Sequence, residues 1–114
     1  MKAGEIGKLE GYKLVVAGDP DAEITNAYTG DLLSDVMGHA PDQSVLITIQ
    51  AHKNTIAVCS LAGAVAVVIC NDREVPEDMR QSAASEGVSI FATKDDQFTA
   101  SVKVASLMGK VTLN

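Results

Sequence analysis

A histidine, a lysine and an asparagine stand together at His52-Lys53-Asn54, directly after the polar exit Thr48, Gln50 of an apolar run. A loop at a helix start offers unpaired backbone amides and the positive end of the helix dipole, a ready setting for an anion. His52 and Lys53 add donors, and Thr48 and Gln50 line the approach. Asp72 and Arg73, after the next apolar run, either complete this rim or pair with each other as solvated charges. The five-residue loop 50–54 also reads as a solvated turn whose Asn54 caps the following helix. His39 lies in a different loop and carries no such cluster.

Other chemistry is harder to place. Cys59 and His52 suggest a thiol–imidazole pair, but Cys59 falls in the middle of a helix, in apolar company, where a buried thiol is the ordinary state. Cys59 and Cys70 lack the paired C-x-x-C spacing of a zinc site, so no metal is expected. The Gly-Lys pairs at 7–8 and 109–110 lack the upstream glycine and the downstream hydroxyl of a phosphate-binding loop. Neither a G-x-G-x-x-G fingerprint nor a G-x-S-x-G elbow occurs. No catalytic residue and no cofactor is expected. Kinase activity, without a phosphate loop, is not.

These residues must be positioned by the stretch Ser44–Cys70, which reads as strand, loop, helix, strand. Around it the chain reads in order. A short amphipathic helix over 2–10 stops at Gly11, a strand follows at 13–17, and a short strand at 24–28. A helix with Leu32, Leu33, Val36 and Met37 on one stripe is capped by Thr29 or Asp31. Thr55–Leu61 forms the central helix, closed by Gly63. Pro76 opens the next at its first turn, with Met79, Ala83 and Ala84 inward and Gly87 at its end. A strand at 88–92 precedes a last helix, capped by Thr93 or Asp95, with Phe98, Val102, Ala105 and Leu107 inward. The tail at 111–114 reads as a further strand or a frayed end.

Helices between successive strands imply a mainly parallel sheet covered on both faces: a three-layer α/β sandwich. In such sheets ligands sit beyond the carboxyl ends of the strands, here 50–54, 71–73 and 93–96. Composition agrees. Hydrophobic residues make up 46% and aromatics only 4%, so the core must be Val, Ile, Leu and Ala. The net charge of −6 argues against a non-specific nucleic-acid binder, and no DNA partner is expected. The apolar runs are too short to span a membrane, and the amino-terminal residues show no signal sequence. One soluble, cytoplasmic domain over 1–114 is expected.

Four segments carry a resemblance: YTGDLLSDVM at 28–37, ITIQAHKNTIAV at 47–58, AGAVAVVI at 62–69 and EGVSIFAT at 86–93. Together they resemble a DRTGG domain, in the stand-alone form similar to the N-terminal domain of HPr serine kinase. The resemblance covers about residues 13–107. It implies the α/β sandwich shared by HPr kinase and Mur ligase N-terminal domains. It also implies a regulatory module, not a catalyst, that accompanies CBS domains in regulatory pyrophosphatases and also occurs in phosphotransacetylase. A small anionic ligand such as a nucleotide, a homodimer and a partner enzyme are the expected associations. The alternative is a purely structural dimerisation or docking domain with no small-molecule ligand. Where the family's naming letters fall, this chain has Gln50, Ala51, His52 and Lys53, then Cys70, Asn71 and Asp72.

Overall fold

A computed structural model describes residues 1–111. A short 3-10 helix, Ala3–Lys8, leads into strands β1 (Lys13–Val16) and β2 (Asn26–Thr29). Then α1 (Leu33–His39), β3 (Ser44–Thr48), α2 (Lys53–Ala62), β4 (Ala64–Ile69), α3 (Glu77–Glu86), β5 (Ser89–Ala92) and α4 (Gln97–Leu107) alternate. The strand read at 111–114 lies, beyond Val111, outside the described residues.

The five strands form one sheet in the order β1-β5-β4-β3-β2. The three ladders joining β2, β3, β4 and β5 are parallel. Only β1 runs antiparallel, pairing Lys13 with Ala92 and Leu14 with Phe91, with a bulge before Val16. The mainly parallel three-layer sandwich is therefore the observed fold.

The unbroken apolar strands follow from burial on both faces. From β4, Val67 and Ile69 enter one core layer, while Ala66 and Val68 enter the other. The first layer packs Val36 of α1, Ile56 and Cys59 of α2, and Met79 and Ala83 of α3 on the sheet. The second packs Ala3, Ile6, Ala100 and Val104 against Val45, Ile47 and Phe91. Fully burying an aliphatic side chain such as Ile56 stabilises the fold by about 1.5–3 kcal/mol. At the end of α2, Gly63 adopts φ 83° and its amide bonds the Cys59 carbonyl at 2.9 Å, a left-handed stop available to glycine.

Several local expectations need correction. Phe98, expected inward, is 79% exposed. The buried face of α4 is Ala100 and Val104, one turn apart, and Phe98 lies roughly 200° around the helix from Ala100. Ala84 is likewise exposed, leaving Met79 and Ala83 as the buried face of α3. Pro76 precedes the first turn of α3 instead of standing in it. The strand read at 24–28 is shifted to Asn26–Thr29, and His39 belongs to the last turn of α1, 3.1 Å from Asp35.

The caps moved as well. Neither Thr29 nor Asp31 caps α1; Leu32 stands at the cap without a side-chain bond. His52, not Asn54, caps α2. Asp96, not Thr93 or Asp95, caps α4 by accepting from the Thr99 amide at 2.8 Å. In each case the expected residue has a tertiary partner or an adjacent competitor with equal capping chemistry.

Candidate functional site

Four parallel strands end on one edge of the sheet and hand the chain to segments 30–32, 49–52, 70–76 and 93–96. The antiparallel β1 adds its beginning to the same edge, since Lys13 lies opposite Ala92.

At the β2 and β3 ends, Asp31 is the hub. Its Oδ1 accepts from the Thr48 hydroxyl at 2.9 Å, the Ile49 amide at 3.0 Å and Gln97 Nε2 at 2.8 Å. Its backbone carbonyl accepts from Gln50 Nε2 at 2.9 Å. Thr48 is fully buried, and its hydroxyl oxygen also accepts from the Gln50 amide at 3.1 Å. The Gln50 carbonyl in turn takes the Thr55 hydroxyl at 2.7 Å. Thr48 and Gln50 thus build the floor of the loop. Asp31 was absent from the sequence-based rim because its place before a helix stripe suggested capping. The signal for a larger role was its position two residues after the end of a strand whose carboxyl edge faces the loop.

His52, Lys53 and Asn54 are all exposed at the start of α2. His52 Nδ1 accepts from the Asn54 amide at 3.1 Å, which puts the proton of the neutral ring on the outward Nε2. The Thr55 amide already bonds the His52 carbonyl at 2.9 Å. Two amides at this helix start are therefore engaged internally. The side-chain donors exposed here are His52 Nε2 and the Lys53 ammonium.

At the β4 and β5 ends the two loops interlock. Asn71 and Asp72 both adopt left-handed backbone, φ 63° and 56°, and their amides donate to the carbonyls of Asp95 and Thr93, each at 2.9 Å. Asp72 and Arg73 are exposed and form no ion pair with each other. Asp95 accepts from Tyr12 at 2.9 Å and from the Lys103 ammonium at 2.7 Å. The Lys103 bond, then that of Tyr12, holds its carboxyl below the usual range, and burial followed by Asp95 pushes the Tyr12 phenol up.

The predicted rim accordingly divides. Thr48 and Gln50 converge on Asp31. Asp72 instead lines a separate cavity of about 180 Å³ with Gly11, Lys13, Ala92, Thr93 and Lys94. A larger groove of about 570 Å³ lies between Leu9, Glu10 and the carboxyl half of α4. Its only lysine, Lys103, is held by Asp95, so its size does not make it the better candidate.

Cys59 and Cys70 are buried free thiols in the two different core layers. Burial pushes Cys59 up to about 12, and burial with nearby aspartates pushes Cys70 up to about 11. Neither is a ready nucleophile. Among the described residues, no three His, Cys, Asp or Glu side chains are grouped to hold a metal ion, and no helix is long and apolar enough to cross a membrane.

No family model matches the chain, and no curated protein matches it. Among solved structures, it is similar to the crystal structure of the CBS and DRTGG domains of the regulatory region of Clostridium perfringens pyrophosphatase, complexed with the activator diadenosine tetraphosphate. The TM-score is 0.71 at 10% sequence identity, over 93% of this chain and 46% of that one. The chain thus spans about half the length of this neighbour. At that identity the likeness shows the fold, which is DRTGG-like.

Proposed function

We propose that the chain is a non-catalytic regulatory module that senses a small anionic ligand, such as a nucleotide, and works with itself or a partner enzyme. The observation that carries this reading is the fold likeness to the regulatory region of an enzyme, solved with a dinucleotide activator. The exposed His52, Lys53, Asn54 and Arg73 at the carboxyl edge supply the ligand contacts in this reading. Thr48 and Gln50 hold the loop from below. The finer kinship with HPr kinase N-terminal domains and a cytoplasmic location belong to the same proposal, supported by the four sequence segments and by composition.

Thermal-shift and calorimetric titration with adenine and guanine mono-, di- and dinucleotides test it. The expected result is stabilisation by at least one of them, reduced in His52→Ala and in Lys53→Ala. No stabilisation, or stabilisation that ignores both substitutions, removes the site.

One observation favours a second reading, a structural dimerisation or docking domain. Leu32 is 68% exposed and Phe98 79%, each next in sequence to one partner of the Asp31–Gln97 bond. Light scattering of the native chain and of Phe98→Ser separates the readings: a dimer lost in Phe98→Ser, with no nucleotide bound, favours docking.

A further inference from the structure

The cations of this chain divide into two groups. Lys2, Lys8 and Lys103 form ion pairs with Asp21, Glu5 and Asp95, and Arg80 donates to the Val75 carbonyl at 2.8 Å. Among the described residues, Lys13, Lys53, Arg73, Lys94 and Lys110 have no acidic partner within the 4.0 Å limit of an ion pair. Four of these five lie on the carboxyl edge of the sheet, in a chain whose net charge is −6. The same edge also carries Asp31, Asp72, Glu74, Asp95 and Asp96, so these cations are unpaired without being in excess.

Two of the four share a cavity. Lys13 opens β1 opposite Ala92, and Lys94 follows Ala92 by two residues, so both flank the 180 Å³ cavity lined also by Gly11, Thr93 and Asp72. Gly11, at φ 81°, leaves open space where a side chain would stand, and backbone is accessible there. We propose that this cavity is a second ligand site, one that holds the phosphate of a hydroxyl-bearing phosphate monoester between Lys13 and Lys94. The volume is below the roughly 300–1,000 Å³ of sites for whole drug-sized ligands, and suits a phosphoryl group with a few attached atoms. Lysines act here as point charges on phosphate oxygens. Asp72 repels a bare inorganic anion but accepts a hydroxyl of the adjoining skeleton. The site lies two strands, roughly 10 Å, from the end of β3 and needs neither His52 nor Lys53.

Calorimetric titration with ribose 5-phosphate, ribose and inorganic phosphate tests this directly. Ribose 5-phosphate binds and ribose does not. Lys13→Gln and Lys94→Gln each weaken binding about three- to tenfold, the range of one charge-assisted contact at a partly exposed site, and the double variant abolishes it. Asp72→Asn improves inorganic phosphate more than ribose 5-phosphate, narrowing the gap between them. Lys110→Gln leaves the titration unchanged. Failure of ribose 5-phosphate to bind at millimolar concentration, or binding that survives in the double variant, overturns the proposal. So does binding lost in Lys53→Ala alone, which assigns the phosphate to the start of α2 and supports the nucleotide reading instead. Both lysines are exposed, and circular dichroism of the double variant verifies that loss of binding is not loss of fold.

Discussion

Gln97 Nε2 donates to Asp31 Oδ1 at 2.8 Å across 66 positions of sequence, on the same oxygen that takes Thr48 and the Ile49 amide. One carboxylate thereby ties the entrance of α1, the exit of β3 and the first turn of α4. Removing it leaves the buried Thr48 hydroxyl and a part-buried amide short of a partner. Asp31→Ala is expected to destabilise the chain by about 1–3 kcal/mol in urea denaturation. A double-mutant cycle with Gln97→Ala should show coupling of about 0.5 kcal/mol or more; strict additivity would mean that the bond carries no stability.

Phe91 and Phe98 offer a paired test of the α4 register. Phe91 is 1% exposed in the second core layer and Phe98 79% exposed. Phe91→Ala should cost about 3–5 kcal/mol, whereas Phe98→Ser should change stability by less than about 0.5 kcal/mol. Comparable losses at both positions would mean that Phe98 is packed.

Gly18 marks a close approach of backbones. A Cβ there would lie 2.6 Å from the carbonyl carbon of Gly87, while the Gly18 amide bonds Ser89 Oγ at 3.1 Å. Gly18→Ala must push main chain apart and is expected to cost about 2 kcal/mol or more. Gly87→Ala, at φ 73° with open space around it, should cost only about 1 kcal/mol of backbone strain. Thermal unfolding of the two variants gives the order.

Asp95 makes the fold acid-sensitive. Its carboxyl is held below the ordinary value of 3.8, first by the Lys103 bond and then by Tyr12. A carboxyl depressed in the folded state contributes stability that is present above its unfolded value and lost as pH falls through the folded one. Asp96, bonded to the Thr99 amide, and Glu5, bonded to the Lys2 amide, shift the same way. Stability should therefore fall below about pH 4, and Asp95→Asn should flatten that fall. An identical acid limb in the variant would place the acid-sensitive group elsewhere.

The two thiols supply a fourth kind of measurement. Burial raises both, and they lie on opposite faces of the sheet. A thiol reagent at neutral pH should react slowly with the native protein and with two equivalents after denaturation. Rapid native labelling would show that one core layer opens.

Much of the architecture is legible in the chain itself because it rests on local periodicity and local turn chemistry. AVAVVI at 64–69 must be buried on both faces, Gly63 and Gly87 stop helices, and alternating helices and strands impose parallel pairing. The polar exits of β3, β4 and β5, and with them the carboxyl edge, are legible for the same reason. Tertiary structure alone decided the partners. Asp31 and Asp95 each had the chemistry of a cap, and each was drawn elsewhere by a residue that local sequence cannot weigh: Gln97 and Tyr12. It alone brought Lys13 and Lys94 to one cavity, because the antiparallel return of β1 to the β5 edge is a long-range pairing. Spacing along a chain specifies which side chains share a face; which unpaired charges meet at an edge depends on the order of strands.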